Sequence, residues 1–252
     1  MKEGPFLRRL TNLSSVIIQK YHQPDQDWQL QQAAAAYSQK EQYTVDALLA
    51  LGEIETVYDQ LEQSPYFLAN FRQTQALKSK GIARFDHIIY HIESHLFRAT
   101  GILDRMLLLI NCIFELQLPP EKAKAYNILT DKKGNEGKYA SVMKSFDSTL
   151  YNNLLDLLKV IDKHRDARNE ISHQKRYNNK KLNTIEMFHI LQTSHNPDFT
   201  ERHYLYFAKQ EADKVVKVYK EKMLKFNNKI RSLIDAIYTG LENRWVTEYQ
   251  NK

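Results

Sequence analysis

The sequence predicts an all-α protein, a bundle built on three long helices, and three observations carry that expectation. Seven Gly and six Pro in 252 residues come to about 5% together against roughly 12% in average usage, too few turn-makers for a many-stranded sandwich or barrel. Apolar residues recur at spacings of three and four over long stretches instead of alternating. With 42% hydrophobic and 26% charged residues, the chain has enough apolar surface to bury a core, which excludes a disordered tail.

Taken in chain order, Val45, Leu48, Leu49, Leu51, Ile54, Val57, Tyr58 and Leu61 read as a helix ending near Ser64-Pro65. From Gly81 to Leu118 the stripe Phe85, Ile88, Ile89, Ile92, Leu96, Ala99, Leu103, Met106, Ile110, Ile113 and Phe114 marks an amphipathic helix, on the order of 50 Å long at 1.5 Å per residue. Gly81 precedes it and Pro119-Pro120 stop it, since neither proline donates the next backbone hydrogen bond. Gly134-Asn135-Glu136-Gly137 is a loop. Leu150, Leu154, Leu157, Leu158 and Ile161 lead to Ile171 in a second long helix, and Tyr204 to Leu241 carries the stripe of a third. Between these two, residues 174–200 begin polar and then carry Ile185, Met187, Phe188, Ile190 and Leu191. That pattern fits a short strand pair or a short helix, so the motif helix is followed by a short irregular or β-like insertion. The expected division is an N-terminal helical extension over residues 1–80 and the bundle over residues 81–252.

The single cysteine, Cys112, lies in an apolar run and excludes an intramolecular disulfide framework and a cysteine-based zinc site. No apolar run approaches the roughly 18 residues of a membrane span, and the N-terminus has no signal-peptide core, so a cytoplasmic, reducing setting without membrane attachment is expected. The net charge of +6 is unevenly spread: residues 41–62 carry six acidic residues and no Lys or Arg, whereas residues 159–181 and 213–231 are each +5. Such asymmetry suits a polyanion on the basic segments, although Lys residues between core positions also suit an ordinary solvated helix face.

The chemical signal lies at the end of the second long helix, in DKHRDARNEISHQKRY, where Arg168, Asn169 and His173 form R-N-x-x-x-H. A loose Arg-to-His spacing is expected about once by chance in this chain, and Arg84 with His91 is a second such match. Requiring Asn after Arg makes a chance match rare. An imidazole removes a proton near neutral pH, as cleavage of RNA by its own 2′-hydroxyl demands. A guanidinium holds the charge that grows on the phosphorane oxygens. Asn169 and His173 are four apart and share a helix face, which places Asn169 to orient the imidazole, while Arg168 lies about 100° round and must sweep across. The same Arg and His also fit a helix C-terminus favoured by the macrodipole. His87, His91 and His95 recur every four residues, but that column drifts by about 40° per step, and no metal site is expected from it.

The motif and its helical context resemble the HEPN superfamily over about residues 82–240. The resemblance implies a helical bundle and, as in many members, a metal-independent ribonuclease with no cofactor. It implies catalytic roles for Arg168, His173 and Asn169, with Glu93 and Arg98 as site-lining residues opposite the motif. One His cannot easily serve both the 2′-hydroxyl and the departing 5′-oxygen, so a homodimer with a composite cleft is expected. Arg165, Lys175, Arg176, Lys180 and Lys181 are candidates to grip flanking phosphates, and Tyr177 to stack on a base. The implied partner is RNA, either tRNA or mRNA, in a toxin–antitoxin or defence setting with an antitoxin or nucleotidyltransferase partner. Some relatives carry a modified tyrosine two residues after the histidine; here that position is Lys175. The alternative is a non-catalytic helical module that binds RNA, a nucleotide or a protein.

Overall fold

A computed structural model describes residues 4–21, 37–131, 133–173, 176–177, 180–191 and 200–252. Among them the regular structure is helical: α1 (Pro5–Tyr21), α2 (Gln39–Ala69), α3 (Gln75–Ser79), α4 (Arg84–Ile113), α5 (Ala125–Ile128), α6 (Ala140–Phe146), α7 (Ser148–Ser172), α8 (Lys180–Leu191) and α9 (Glu201–Asn251). A single antiparallel bridge, Thr130 to Glu136, closes the loop over Gly134, whose φ of +84° suits glycine. The all-α expectation is met, and the helix read over residues 45–61 is α2, a fourth long helix beside the three of the expected bundle.

Two helix ends and the insertion after the motif differ from the sequence reading. The first long helix stops at Ile113, before the prolines, because Glu115 and Gln117 turn to positive φ and Asn111 replaces the missing helical partners. Its amide donates to the Leu118 carbonyl (2.8 Å) and its oxygen accepts from the Leu118 N–H (3.0 Å). α2 instead runs through Pro65 to Ala69. The N–H that Pro65 lacks leaves the Leu61 carbonyl without its helical donor, and the buried Asn227 amide supplies one at 2.7 Å. The insertion after the motif takes the helical alternative: Lys180–Leu191 is α8, while residues 192–199 lie outside the described residues.

The chain divides into two compact units, and α2, α4, α7 and α9 each supply a stretch to both. The first unit comprises Met1–Val57, Gly101–Val160 and Ile230–Lys252. Its core closes on Trp245, which stacks on Tyr43 (6.4 Å between ring centroids, 8° between planes) and meets Phe6 of α1 at 6.3 Å. Gly240 lets α9 approach α7, since a Cβ there would stand 3.0 Å from that of Leu150.

The second unit comprises Tyr58–Thr100 and Ile161–Lys229. Its core gathers Leu68 from α2, Phe85, Ile88, Ile89, Ile92 and Leu96 from α4, Leu182 and Ile185 from α8, and Val215, Tyr219 and Met223 from α9. Every α4 residue in that set lies on the stripe read from the sequence. Ala167, Ile171 and Tyr177 pack against the same cluster, so the motif-bearing end of α7 is fixed by its apolar side.

Candidate functional site

The R-N-x-x-x-H segment ends α7. Its last turn is closed by the His173 N–H on the Asn169 carbonyl (3.1 Å) and by the Ser172 hydroxyl on the Arg168 carbonyl (2.9 Å). Ala167 and Ile171 face the core, which leaves His173 exposed just beyond the last helical residue. The imidazole makes no hydrogen bond to a described residue, so both ring nitrogens are available to a ligand.

Arg168 does sweep across the helix. Its Nη1 donates to the Asn169 amide oxygen at 3.2 Å, and its guanidinium lies 5.9 Å from the centre of the Phe97 ring on α4. The expected role of Asn169 changes accordingly: its amide oxygen orients the arginine, not the imidazole. Phe97 adds a π face within cation–π range. The Arg168 Nε is buried and makes no hydrogen bond. No carboxylate of a described residue stands within ion-pair distance of Arg168. The guanidinium is thus aimed by neutral groups and keeps its positive charge uncompensated.

The other basic candidates divide. Arg165 pairs with Asp162 (3.1 Å), and Arg176 pairs with Glu186 of α8 and lies 5.0 Å over the Phe85 ring. Both face an acid of the same chain in a solvent-exposed pair, a contact worth about 0–1 kcal/mol that a phosphate would have to displace. Lys180 and Lys181 are exposed at the start of α8; Lys175 lies outside the described residues. Tyr177 turns inward: its hydroxyl meets that of Tyr219 at 3.2 Å, and its ring contacts the Tyr219 ring edge-on. It is part of the packed unit and is not presented to a base.

Glu93 and Arg98 each have a described partner. The Glu93 carboxylate accepts the Tyr177 backbone N–H at 2.9 Å and so ties the chain beyond His173 back to α4. The Arg98 Nε donates to the Gln60 amide oxygen at 2.9 Å. The histidine column is committed elsewhere. His87 Nε2 donates to the Phe67 carbonyl (2.8 Å), the His91 ring stacks on Phe67, and His95 is buried edge-on to Phe226. Burial, followed by nearby positive groups, holds His91 at about 4 and His95 at about 3. Sequence reasoning missed Phe97 and Gln60. Phe97 carried a signal, because it is an aromatic residue off the apolar stripe of α4 and is exposed; Gln60 carried none.

The model of the Cthe2314-like HEPN family matches residues 51–238. The chain belongs to the HEPN superfamily. The match begins some thirty residues earlier than the resemblance drawn from the motif, and it takes in the second half of α2 as HEPN sequence. HEPN domains often dimerise and bind RNA, and as a class they are modules of the ribonuclease or toxin kind. No curated protein and no solved structure matches the chain significantly. No described helix is long and apolar enough to cross a membrane.

Proposed function

We propose that this HEPN protein is a metal-independent endoribonuclease of the toxin or defence-effector kind, with Arg168 and His173 as its catalytic pair. The observation that carries the reading is the state of Arg168: oriented by Asn169 and Phe97, with a buried unpartnered Nε and no described carboxylate on it. A structural arginine at a helix end would have an acid against it, as Arg165 and Arg176 do.

In the reaction, the substrate 2′-oxygen attacks the adjacent phosphorus as His173 takes its proton. The bond to the 5′-oxygen breaks, and that oxygen leaves with a proton from a second acid. The products are a 2′,3′-cyclic phosphate and a 5′-hydroxyl. Arg168 binds the non-bridging oxygens, whose charge is greatest in the pentavalent state. The second acid is His173 of another copy of the chain, brought opposite by a two-fold axis. Glu93 is a positioning residue, holding the backbone at Tyr177, four residues beyond His173. The exposed Lys180 at the start of α8 is the described residue placed to grip a flanking phosphate.

Total RNA incubated in EDTA with the purified protein or with His173→Ala tests the reading, with the cleaved ends mapped. Cleavage by the parent protein alone, leaving cyclic phosphates, is the expected result. Equal cleavage by both proteins, or none, would overturn it in favour of a binding module.

A further inference from the structure

On the α2 side of α4, a cavity of about 240 Å³ opens between Phe67, Tyr90, His91, Arg98, Gln60 and Gln63. Its chemistry differs from that of the Arg168 centre. One wall is aromatic: the Phe67 and His91 rings lie 5.9 Å apart and 19° from parallel, and Tyr90 stands edge-on to His91 at 5.2 Å. The wall is held in place by His87, which donates to the Phe67 carbonyl (2.8 Å) and contacts the His91 ring at 4.3 Å. The other wall is polar. Gln60 accepts from Arg98 through its oxygen, so its amide NH2 and that of Gln63 remain unspent among the described residues. Arg98 is the cavity's one permanent cation, and no described carboxylate pairs with it.

The two aromatic side chains that line the cavity are open to solvent. Phe67 is 53% exposed and Tyr90 62% exposed. The cavity and the motif share α4: Arg98 follows Phe97 directly in the sequence, and Phe97 is the ring beneath the Arg168 guanidinium. Tyr90 lies two turns before Phe97 on the same helix face. An aromatic wall, two amide edges and a single guanidinium are the set that recognises one flat heteroaromatic base carrying a phosphate. His91, neutral near pH 7, adds a π face and a hydrogen-bonding edge without a second charge.

We propose that this cavity is a nucleobase subsite, taking one unpaired base of the RNA against Phe67 and Tyr90 with its phosphate on Arg98, beside the scissile phosphate at Arg168. The inference rests on the ribonuclease reading for the identity of the polymer, but its test does not require cleavage. Binding of a fluorescent single-stranded RNA octamer to the His173→Ala protein is measured, alone and with Phe67→Ala or Tyr90→Ala added. Both side chains are exposed, so these variants keep the fold, as circular dichroism will show. Loss of one base stack corresponds to binding about 5- to 100-fold weaker, and one or more nucleoside monophosphates should compete where ribose 5-phosphate does not.

Unchanged RNA affinity in both aromatic variants overturns the subsite, whether or not the parent protein cleaves RNA. Equal competition by ribose 5-phosphate also overturns it, because the site would then read phosphate alone. A change in sedimentation on Phe67→Ala overturns it in favour of contact between copies of the chain. Base-dependent binding without any cleavage by the parent protein sinks the ribonuclease reading and leaves the subsite standing.

Discussion

Arg231 in the first unit and Arg168 in the second are both partly buried arginines on core helices, and the fold treats them in opposite ways. Arg231 is held by two acids, Glu55 (3.0 Å) and Asp235 (2.9 Å), and Glu55 is itself buried. Arg168 has an amide, a ring and, among the described residues, no acid. A guanidinium taken from water without a counter-ion is costly to the fold. Arg231 is thus matched by carboxylates of its own chain, and under the proposed function the open side of Arg168 is where the RNA phosphate sits.

The largest expected effect separates the two residues by activity. His173→Ala should lower RNA cleavage by about 10²- to 10⁴-fold, and Arg168→Ala by about 10²- to 10³-fold. Neither should move the urea midpoint by more than about 0.5 kcal/mol in stability, because neither residue holds an ion pair. Arg231→Ala should do the reverse. It strands the buried Glu55 and should cost about 3 kcal/mol, with the residual folded enzyme retaining its rate. Equal loss of stability in Arg168→Ala and Arg231→Ala would erase the distinction.

A second contrast within the second unit concerns pH. His173 is exposed, whereas His91, His95 and His164 are held below the usual imidazole range, chiefly by burial. His95 and His164 both contact Phe226 edge-on. A histidine whose folded value is lowered stays neutral while the unfolded chain takes up protons. Stability is therefore complete above the unfolded value of about 6.5 and falls as pH drops toward 4, with a slope of at most about 1.4 kcal/mol per pH unit for each histidine. Urea titrations at pH 7, 6 and 5 should show this decline, and His95→Phe should flatten part of it. A flat profile in the parent protein would mean that these rings are solvated.

The difference between local and distant information explains what the sequence made legible. The stripe from Phe85 to Ile113 was readable because helical periodicity is local, and so was the motif, whose residues lie within six positions. The partners were not. Nothing near Arg176 in sequence announces Glu186, nor does Tyr177 announce Tyr219, because those contacts arise only when α8 and α9 fold back on the motif helix. Asn169 was misassigned for a related reason. Its spacing from His173 is correct for contact, but the neighbouring guanidinium offers a charge-assisted donor and takes the same oxygen.

The smallest predicted effect concerns the one place where a local rule failed, the end of α2 at Pro65. A proline inside a helix removes a hydrogen bond and crowds the carbonyl four residues back, which is why a stop was expected there. The helix continues because Asn227 on α9 donates to that carbonyl, Leu61, while the Asn227 backbone oxygen accepts from the Tyr58 hydroxyl (3.3 Å). Asn227→Leu removes the donor and leaves a buried acceptor unpaired, at a cost of about 1–2 kcal/mol. Pro65→Ala restores the N–H that the carbonyl originally lacked. If substitution by a distant asparagine is the true explanation, the cost of Asn227→Leu should shrink by about 1 kcal/mol in the Pro65→Ala background, a coupling that a urea double-mutant cycle resolves. Strict additivity would mean that the packing around Pro65, and not the hydrogen bond, carries α2 past the proline.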